Sequence, residues 1–419
     1  MTYDDFELRI DADGEGFRVR ARAPRGVASH PLLLPDELVA GLPDLPKTSG
    51  ERLGVHARDT QQAAAPLAAG RSSRRTGSLL FSALLAGPVR SLFDSSLGEA
   101  AAAEPRRGLL VRLRFDLRDN RVRPLLDLPW ELLCRDETGE FLGLHRSTPI
   151  VRSLDTPLPA RPLRLTPPLR VLLAMADPST SPRLDLVGER QQIEQALGGS
   201  AQVQITTLEH ATRDALVHSL REQSFHIVHF MGHGSFDRHS GAGALILESP
   251  AGAADPMAAA TLADLFSDRE HPILVILNTC HSASSGAAAS LDPFAGVAAA
   301  LVLAGLPAVL AMRTAILDPA AIRLTAELYR HLARGDRLEA AVSEARLALR
   351  TAYEGSAEWS IPALFLREGP AAVEDGTGTG APLPEAAGAR PAGAGIAIQQ
   401  RDVGKQTIVH GAVETLNVN

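Results

Sequence analysis

His226-Ile227-Val228-His229-Phe230-Met231-Gly232-His233-Gly234, taken with Pro272-Ile273-Leu274-Val275-Ile276-Leu277-Asn278-Thr279-Cys280-His281, decides the fold. Each stretch is a short apolar run with the length and branching of a strand buried on both faces. Each ends in a small polar loop. In an open parallel sheet, chemistry collects beyond the carboxyl ends of the strands, and His233 and Cys280 both fall there. A thiol becomes a competent nucleophile near neutral pH when an imidazole takes its proton. The two positions therefore form a candidate nucleophile and base. Gly232 and Gly234 flank the histidine, and their tolerance of positive φ would let the loop aim its N–H groups. The backbone N–H groups of Gly234 and Cys280 are the candidates to bind a developing oxyanion. Asp237 and Asp292 are close in sequence, but neither is assigned as a third member, because backbone groups suffice to orient an imidazole.

Strand and helix patterns alternate around this pair. Strands are expected at 171–174 and 203–206, and helices at 186–197, 212–220 and 259–266, with a hairpin near 244–247. Helices at 319–333 and 338–351 close the series. Such alternation predicts an α/β fold in three layers, a mostly parallel sheet with helices on both faces. The window 294–312 has no charged residue and approaches the ~20 residues of a membrane span. Gly305-Leu306-Pro307 cuts it, so a buried helix followed by a buried strand is expected instead, and no membrane span.

Residues 1–160 read as a smaller α+β region. Phe6, Leu8 and Ile10 alternate, Asp13-Gly14 marks a turn, and Phe17, Val19 and Ala21 alternate again, which predicts a hairpin. A helix is expected over 77–93, a strand over 109–115, and a short helix from Leu128 with Pro129 in its first turn. The Pro-rich stretch 161–168 marks the boundary to a second domain, 161–367. Residues 368–395 are rich in Gly, Ala, Pro and Thr and predict a flexible linker. The tail, 396–419, has β-type composition but is too short to be stable alone. It is expected either to pair with a partner protein or another surface, or to be disordered.

At 419 residues with 45% apolar content, the chain can bury more than one sizeable core. A formal net charge of -7 argues against a general nucleic-acid binder. The only cysteines, Cys134 and Cys280, cannot make a disulfide framework, which fits a reducing, cytoplasmic setting. The N-terminus carries no basic and apolar leader. Cys134 is expected to be a buried apolar thiol. His226 and His229 lie inside the strand and read as core histidines. A zinc site of His229, His233 and Cys280 lacks a fourth ligand at any usual spacing, so no cofactor is expected. From residue types alone Cys280 could equally be a small strand-capping residue and His233 a turn residue.

The ordered set Leu128-Pro129-Trp130-Glu131-Leu132-Leu133, Asp177-Pro178, 228–235, 244–247, 277–282 and 305–312, with Asp318, Tyr329, Gly335, Ala345-Arg346, Trp359 and Pro362, resembles the CHAT family of caspase-like proteases, relatives of separase and the caspases. The resemblance covers about Gly77 to Leu366. It implies a caspase-like α/β/α domain, His233 and Cys280 as the catalytic residues, and a protein substrate. It also implies a role in bacterial defence or programmed death. Thr279 and His281 depart from the family's usual alanine and acidic or amide residues. In caspase-like folds the first-subsite pocket is lined from the end of the first strand and from just before the cysteine, here Asp177 and Asn278, with Met312 and Arg313 as further candidates. Asp177 would favour Lys or Arg at the cleaved position, or merely cap the turn at Pro178; Arg313 would favour an acidic residue. The reading is therefore a cysteine endopeptidase. A silent caspase-like module that recruits partners through its N-terminal region and tail is the alternative.

Overall fold

The run Ala308–Met312 has no polar side chain and is buried along its whole length, which demands apolar cover on both faces. The computed structural model supplies that cover. It describes residues 1–39, 70–156, 163–165, 167–197, 201–237, 242–267, 272–278, 280–281, 293–314, 316–367 and 371–373. Its strands are β1 (Tyr3–Asp13), β2 (Gly16–Ala23), β3 (Gly26–Leu32), β4 (Gly108–Phe115), β5 (Ile150–Leu154), β6 (Leu163–Leu165), β7 (Leu169–Met175), β8 (Val203–Leu208) and β9 (Ile227–Met231). They continue with β10 (His233–Asp237), β11 (Ala242–Glu248), β12 (Ala254–Ala258), β13 (Leu274–Asn278), β14 (Cys280–His281), β15 (Ala308–Met312), β16 (Ile316–Leu317), β17 (Pro362–Leu366) and β18 (Ala371–Val373). The helices are α1 (Asp36–Val39), α2 (Gly70–Leu84), α3 (Gly87–Ala102), α4 (Leu186–Leu197), α5 (Arg213–Glu222), α6 (Ala259–Ser267), α7 (Pro293–Leu303), α8 (Asp318–Ala333) and α9 (Leu338–Ala352).

Eleven strands form one sheet in the order β3-β2-β1-β4-β5-β17-β15-β13-β9-β7-β8. Only the β1–β2–β3 meander and the β15–β17 pair run antiparallel; the other neighbours are parallel. Along β15, Val309 and Ala311 belong to the same core cluster as Leu216, Leu262 and Val297 of α5, α6 and α7. Leu310 and Met312 pack with Ile193, Leu328 and Leu349 of α4, α8 and α9. The expected α/β/α layering is therefore present. The strands on either side of the Pro-rich stretch share this sheet, because β5 pairs with β17 through Phe365↔Arg152 and Leu366↔Ser153. Likewise β18 pairs with β6.

Two local expectations need correcting. The single helix over 77–93 is in fact α2 and α3, bent by 104° at their junction. Pro88 lacks the N–H that a continuous helix would require and sits instead in the first turn of α3, while Gly87 turns the chain at φ +49°. The short helix after Leu128 is a single 3-10 turn, Trp130–Leu132, with Pro129 as its cap. The window 294–312 divides as expected into α7 and β15. Among the described residues no single helix is long and apolar enough to cross a membrane. Cys134 is buried, and burial pushes its thiol pKa up. Residues 374–419, which hold most of the expected linker and the whole tail, lie outside the described residues.

Candidate active site

β9 and β13 are adjacent and parallel, and their register aligns Met231 with Asn278, the last residue of each strand. Both strands are buried throughout. Their carboxyl ends therefore coincide, and each chain leaves the main sheet within two residues. The N–H of Gly232 donates to the Asn278 carbonyl at 3.2 Å. His233 then opens β10, which belongs to a separate three-stranded sheet with β11 and β12. Cys280 opens β14, which pairs with β16 in the register Cys280↔Ile316. Position 232 must be glycine for space and not for backbone sign, contrary to the expectation of positive φ. A Cβ there would meet Phe230 at 2.7 Å and the Ala176 carbonyl at 2.9 Å. The Cys280 side chain, Thr279 and residues 282–292 lie outside the described residues.

The Nε2 atom of His233 lies 2.8 Å from the Pro182 carbonyl. A carbonyl only accepts, so Nε2 carries the proton and the neutral ring keeps its lone pair on Nδ1. A backbone group thus orients this imidazole. The loop that supplies it is held at several points. The Ala176 N–H donates to the Met231 carbonyl at 3.0 Å, the Ser179 N–H to the Gly252 carbonyl at 2.9 Å, and the Ala254 N–H to Thr180 Oγ1 at 3.0 Å. Glu248, buried at the end of β11, accepts from the Asp177 N–H through Oε1 at 2.9 Å and faces His210 Nδ1 through Oε2 at 3.0 Å. Nothing in the local sequence singled out Pro182 or Glu248; only the tertiary path of the loop brings Pro182 to the histidine and Glu248 to Asp177. Gly234 follows His233 in β10, opposite Leu245.

The four pocket candidates separate by burial and by partner. Asp177 lies past the end of β7, with its side chain 23% exposed; Oδ2 is 2.8 Å from Arg183 Nη1, and Oδ1 has no hydrogen-bond partner. Asn278 is fully buried on the α4 side of the sheet, where Nδ2 donates to the Glu189 carboxylate. Met312 is fully buried in the α4–α8–α9 core. Arg313 turns away toward the N-terminal region, with Nη1 donating to the Asp127 carbonyl at 3.1 Å and Nε 3.3 Å from Glu131 Oε2. Asp177 alone of the four presents a partly exposed side chain near the loop that holds His233.

His226 and His229 serve the core. The Arg170 N–H donates to His226 Nδ1 at 3.0 Å. His229 is fully buried, 3.3 Å from the Tyr329 hydroxyl, and burial lowers its pKa from 6.5 to about 3. The unfolded chain protonates this ring as pH falls below 6.5 and the folded chain does not. Its contribution is complete above pH 6.5 and is lost as pH falls toward 3, at about 1.4 kcal/mol per pH unit. Urea midpoints of the wild type and His229→Leu should show the wild type losing about 3 kcal/mol more between pH 7 and about pH 4.5. Equal losses would sink this account. Among the described residues no three His, Cys, Asp or Glu side chains converge to hold a metal ion.

The profile described as CHAT domain matches residues 74–368 of this chain. Two crystal structures of the Saccharomyces cerevisiae separase–securin complex, at 2.6 and 3.0 Å resolution, are similar with a TM-score of 0.43 and 12% identity. Each match covers 87% of this chain and 30% of that one, so the chain spans under a third of the matched structures' length. No curated protein matches the chain.

Proposed function

This chain belongs to the CHAT-domain family, and from that premise we propose that it is a cysteine endopeptidase whose nucleophile is Cys280 and whose acid–base residue is His233. The observation that carries the reading is the imidazole held by the Pro182 carbonyl at the end of the strand next to the one that leads to Cys280. That hydrogen bond leaves Nδ1 as the basic nitrogen. In the proposed reaction Nδ1 takes the thiol proton and the thiolate attacks the peptide carbonyl. The N–H groups of Gly234 and Cys280 donate to the tetrahedral oxyanion. His233 then protonates the leaving amine, and a water activated by the same nitrogen hydrolyses the thioester. No cofactor enters these steps. The setting proposed is the cytoplasm, in a defence or programmed-death pathway.

The test is to incubate wild type and Cys280→Ala with co-expressed proteins and to sequence the new N-termini. Cleavage by the wild type alone supports the reading. New termini that are identical in both samples, or absent from both, would favour a silent interaction module.

In the same proposal Asp177 sets a preference for Lys or Arg at the cleaved position. Arg183, which faces its carboxylate now, has a side chain 74% exposed, so a substrate cation displaces it at little cost. Arg313 does not compete for acidic side chains, since it is committed to Glu131 and Asp127. Asp177→Ala should lower kcat/KM after Lys and Arg by roughly 10- to 100-fold, while Arg183→Ala should not lower it. An unchanged cleavage preference in Asp177→Ala would remove the basic-residue assignment.

A further inference from the structure

Glu189 lies in the first turn of α4 and is 1% exposed. A carboxylate is costly to bury without hydrogen-bond donors. One donor is the Asn278 side-chain amide, itself fully buried. Asn278 occupies a particular place in the chain. Its carbonyl accepts from the N–H of Gly232, the residue before His233. One residue separates it from Cys280. Any shift of Asn278 therefore moves both strand ends together.

Glu189 is equally well placed on its own side. Asp185 caps the first turn of α4, accepting from the Gly188 N–H through Oδ1 at 3.0 Å and from the Glu189 N–H through its carbonyl at 3.1 Å. Three residues before that cap, the Pro182 carbonyl holds the His233 ring. The segment 182–189 thus grips His233 at one end and the Asn278 strand end at the other. An apolar residue at 189 would cover the core more cheaply, but it could not fix the rotation of the Asn278 amide.

We propose that Glu189 is a positioning residue for the dyad, acting through Asn278 on the two strand ends that present His233 and Cys280. The proposal rests on the endopeptidase reading for its consequence but not for its geometry. It also reassigns Asn278, which anchors the site from beneath and does not line the substrate pocket. Neither residue touches substrate; both act by holding the reacting groups within the narrow distance that thiolate addition to a carbonyl requires.

The experiment uses three full-length variants. Asn278→Asp sets two carboxylates against each other. Glu189→Gln keeps an acceptor oxygen and removes the charge. The double variant Glu189→Gln/Asn278→Asp restores a donor facing a carboxylate with the polarity reversed. Urea midpoints establish that each is folded. On a peptide carrying the identified cleavage site, Asn278→Asp should lose about 100-fold in kcat with little change in KM. The rate of Cys280 alkylation should fall with it, and the double variant should recover to within about fivefold of the wild type. No recovery in the double variant overturns the proposal. So does an Asn278→Asp enzyme that keeps its kcat and changes only its preference for the cleaved side chain. A readout independent of activity separates this proposal from the endopeptidase reading. Exchange of the Gly232 amide should be slow in the wild type and the double variant and fast in Asn278→Asp. Equal protection in all three overturns the positioning role, whereas a wild type with a protected amide and no cleavage overturns only the endopeptidase reading.

Discussion

Replacing His233 by alanine is expected to slow Cys280-dependent peptide cleavage by roughly 10³- to 10⁴-fold, the range that a positioned general acid and base supplies. The same substitution separates two contributions of the imidazole. A thiol with an ordinary pKa near 8.5 is only about 3% ionised at pH 7. Without His233 the alkylation of Cys280 by iodoacetamide should therefore fall by about 30-fold at pH 7 and recover fully above about pH 9, where the thiol ionises unaided. Cleavage should not recover there, because the leaving amine still lacks its acid. Iodoacetamide kinetics from pH 5 to 10 and turnover on one peptide, measured on both proteins, decide the matter. An alkylation rate at pH 7 that ignores the substitution would mean that His233 does not serve the thiol, and the hydrogen bond from Nε2 to the Pro182 carbonyl would then be merely structural.

The strand ends that carry His233 and Cys280 were legible in the sequence because both strands are buried on two faces and stop at glycine or small polar residues. Their adjacency was not written locally; it follows from the order β13-β9-β7 in the sheet. The same limit hid the pairing of β5 with β17, whose partners Ser153 and Leu366 lie far apart in the chain. The proposed substrate pocket was the least legible part. Proximity to a strand end does not tell which face a side chain takes, and a one-residue change of parity exchanges the faces. Asn278 and Met312 fall on the face covered by α4, α8 and α9 for that reason, and Arg313 is drawn to a buried carboxylate whose location depends on the N-terminal region. The proposed dyad needed only strand ends, whereas the proposed pocket needed the whole register.

That buried carboxylate carries the largest effect expected on stability. Glu131, from the Leu128–Leu133 motif, is fully buried, and so are Arg152 and Arg346. Arg152 grips it at both oxygens, Nε at 2.9 Å and Nη2 at 2.6 Å, and also donates to the Leu126 and Leu128 carbonyls. Arg313 approaches at 3.3 Å. Burial alone would raise the pKa of Glu131, but Arg152, Arg313 and Arg346 together hold it below the ordinary range. Arg346 is pushed down to about 10, chiefly by burial, although Glu131 opposes the shift. Three guanidinium groups thus gather around one carboxylate. Glu131→Gln leaves them facing each other without a counter-charge, and breaking a buried pair from one side costs about 3–5 kcal/mol. Because the folded pKa is depressed, the contribution of Glu131 is present above about pH 4.5 and disappears as pH falls below it. The urea-derived stability of Glu131→Gln should be lower by that amount at pH 7, and the gap to the wild type should close on acidification. The loss should reach the proposed active site as well. Arg313 follows β15 directly and leads into β16, the strand paired with Cys280, so releasing its anchor frees the support of the proposed nucleophile. A Glu131→Gln protein that loses under 1 kcal/mol at pH 7, or whose Cys280 alkylation is unchanged, would show that the arginines repack without the carboxylate and that the motif does not brace the strand that carries Cys280.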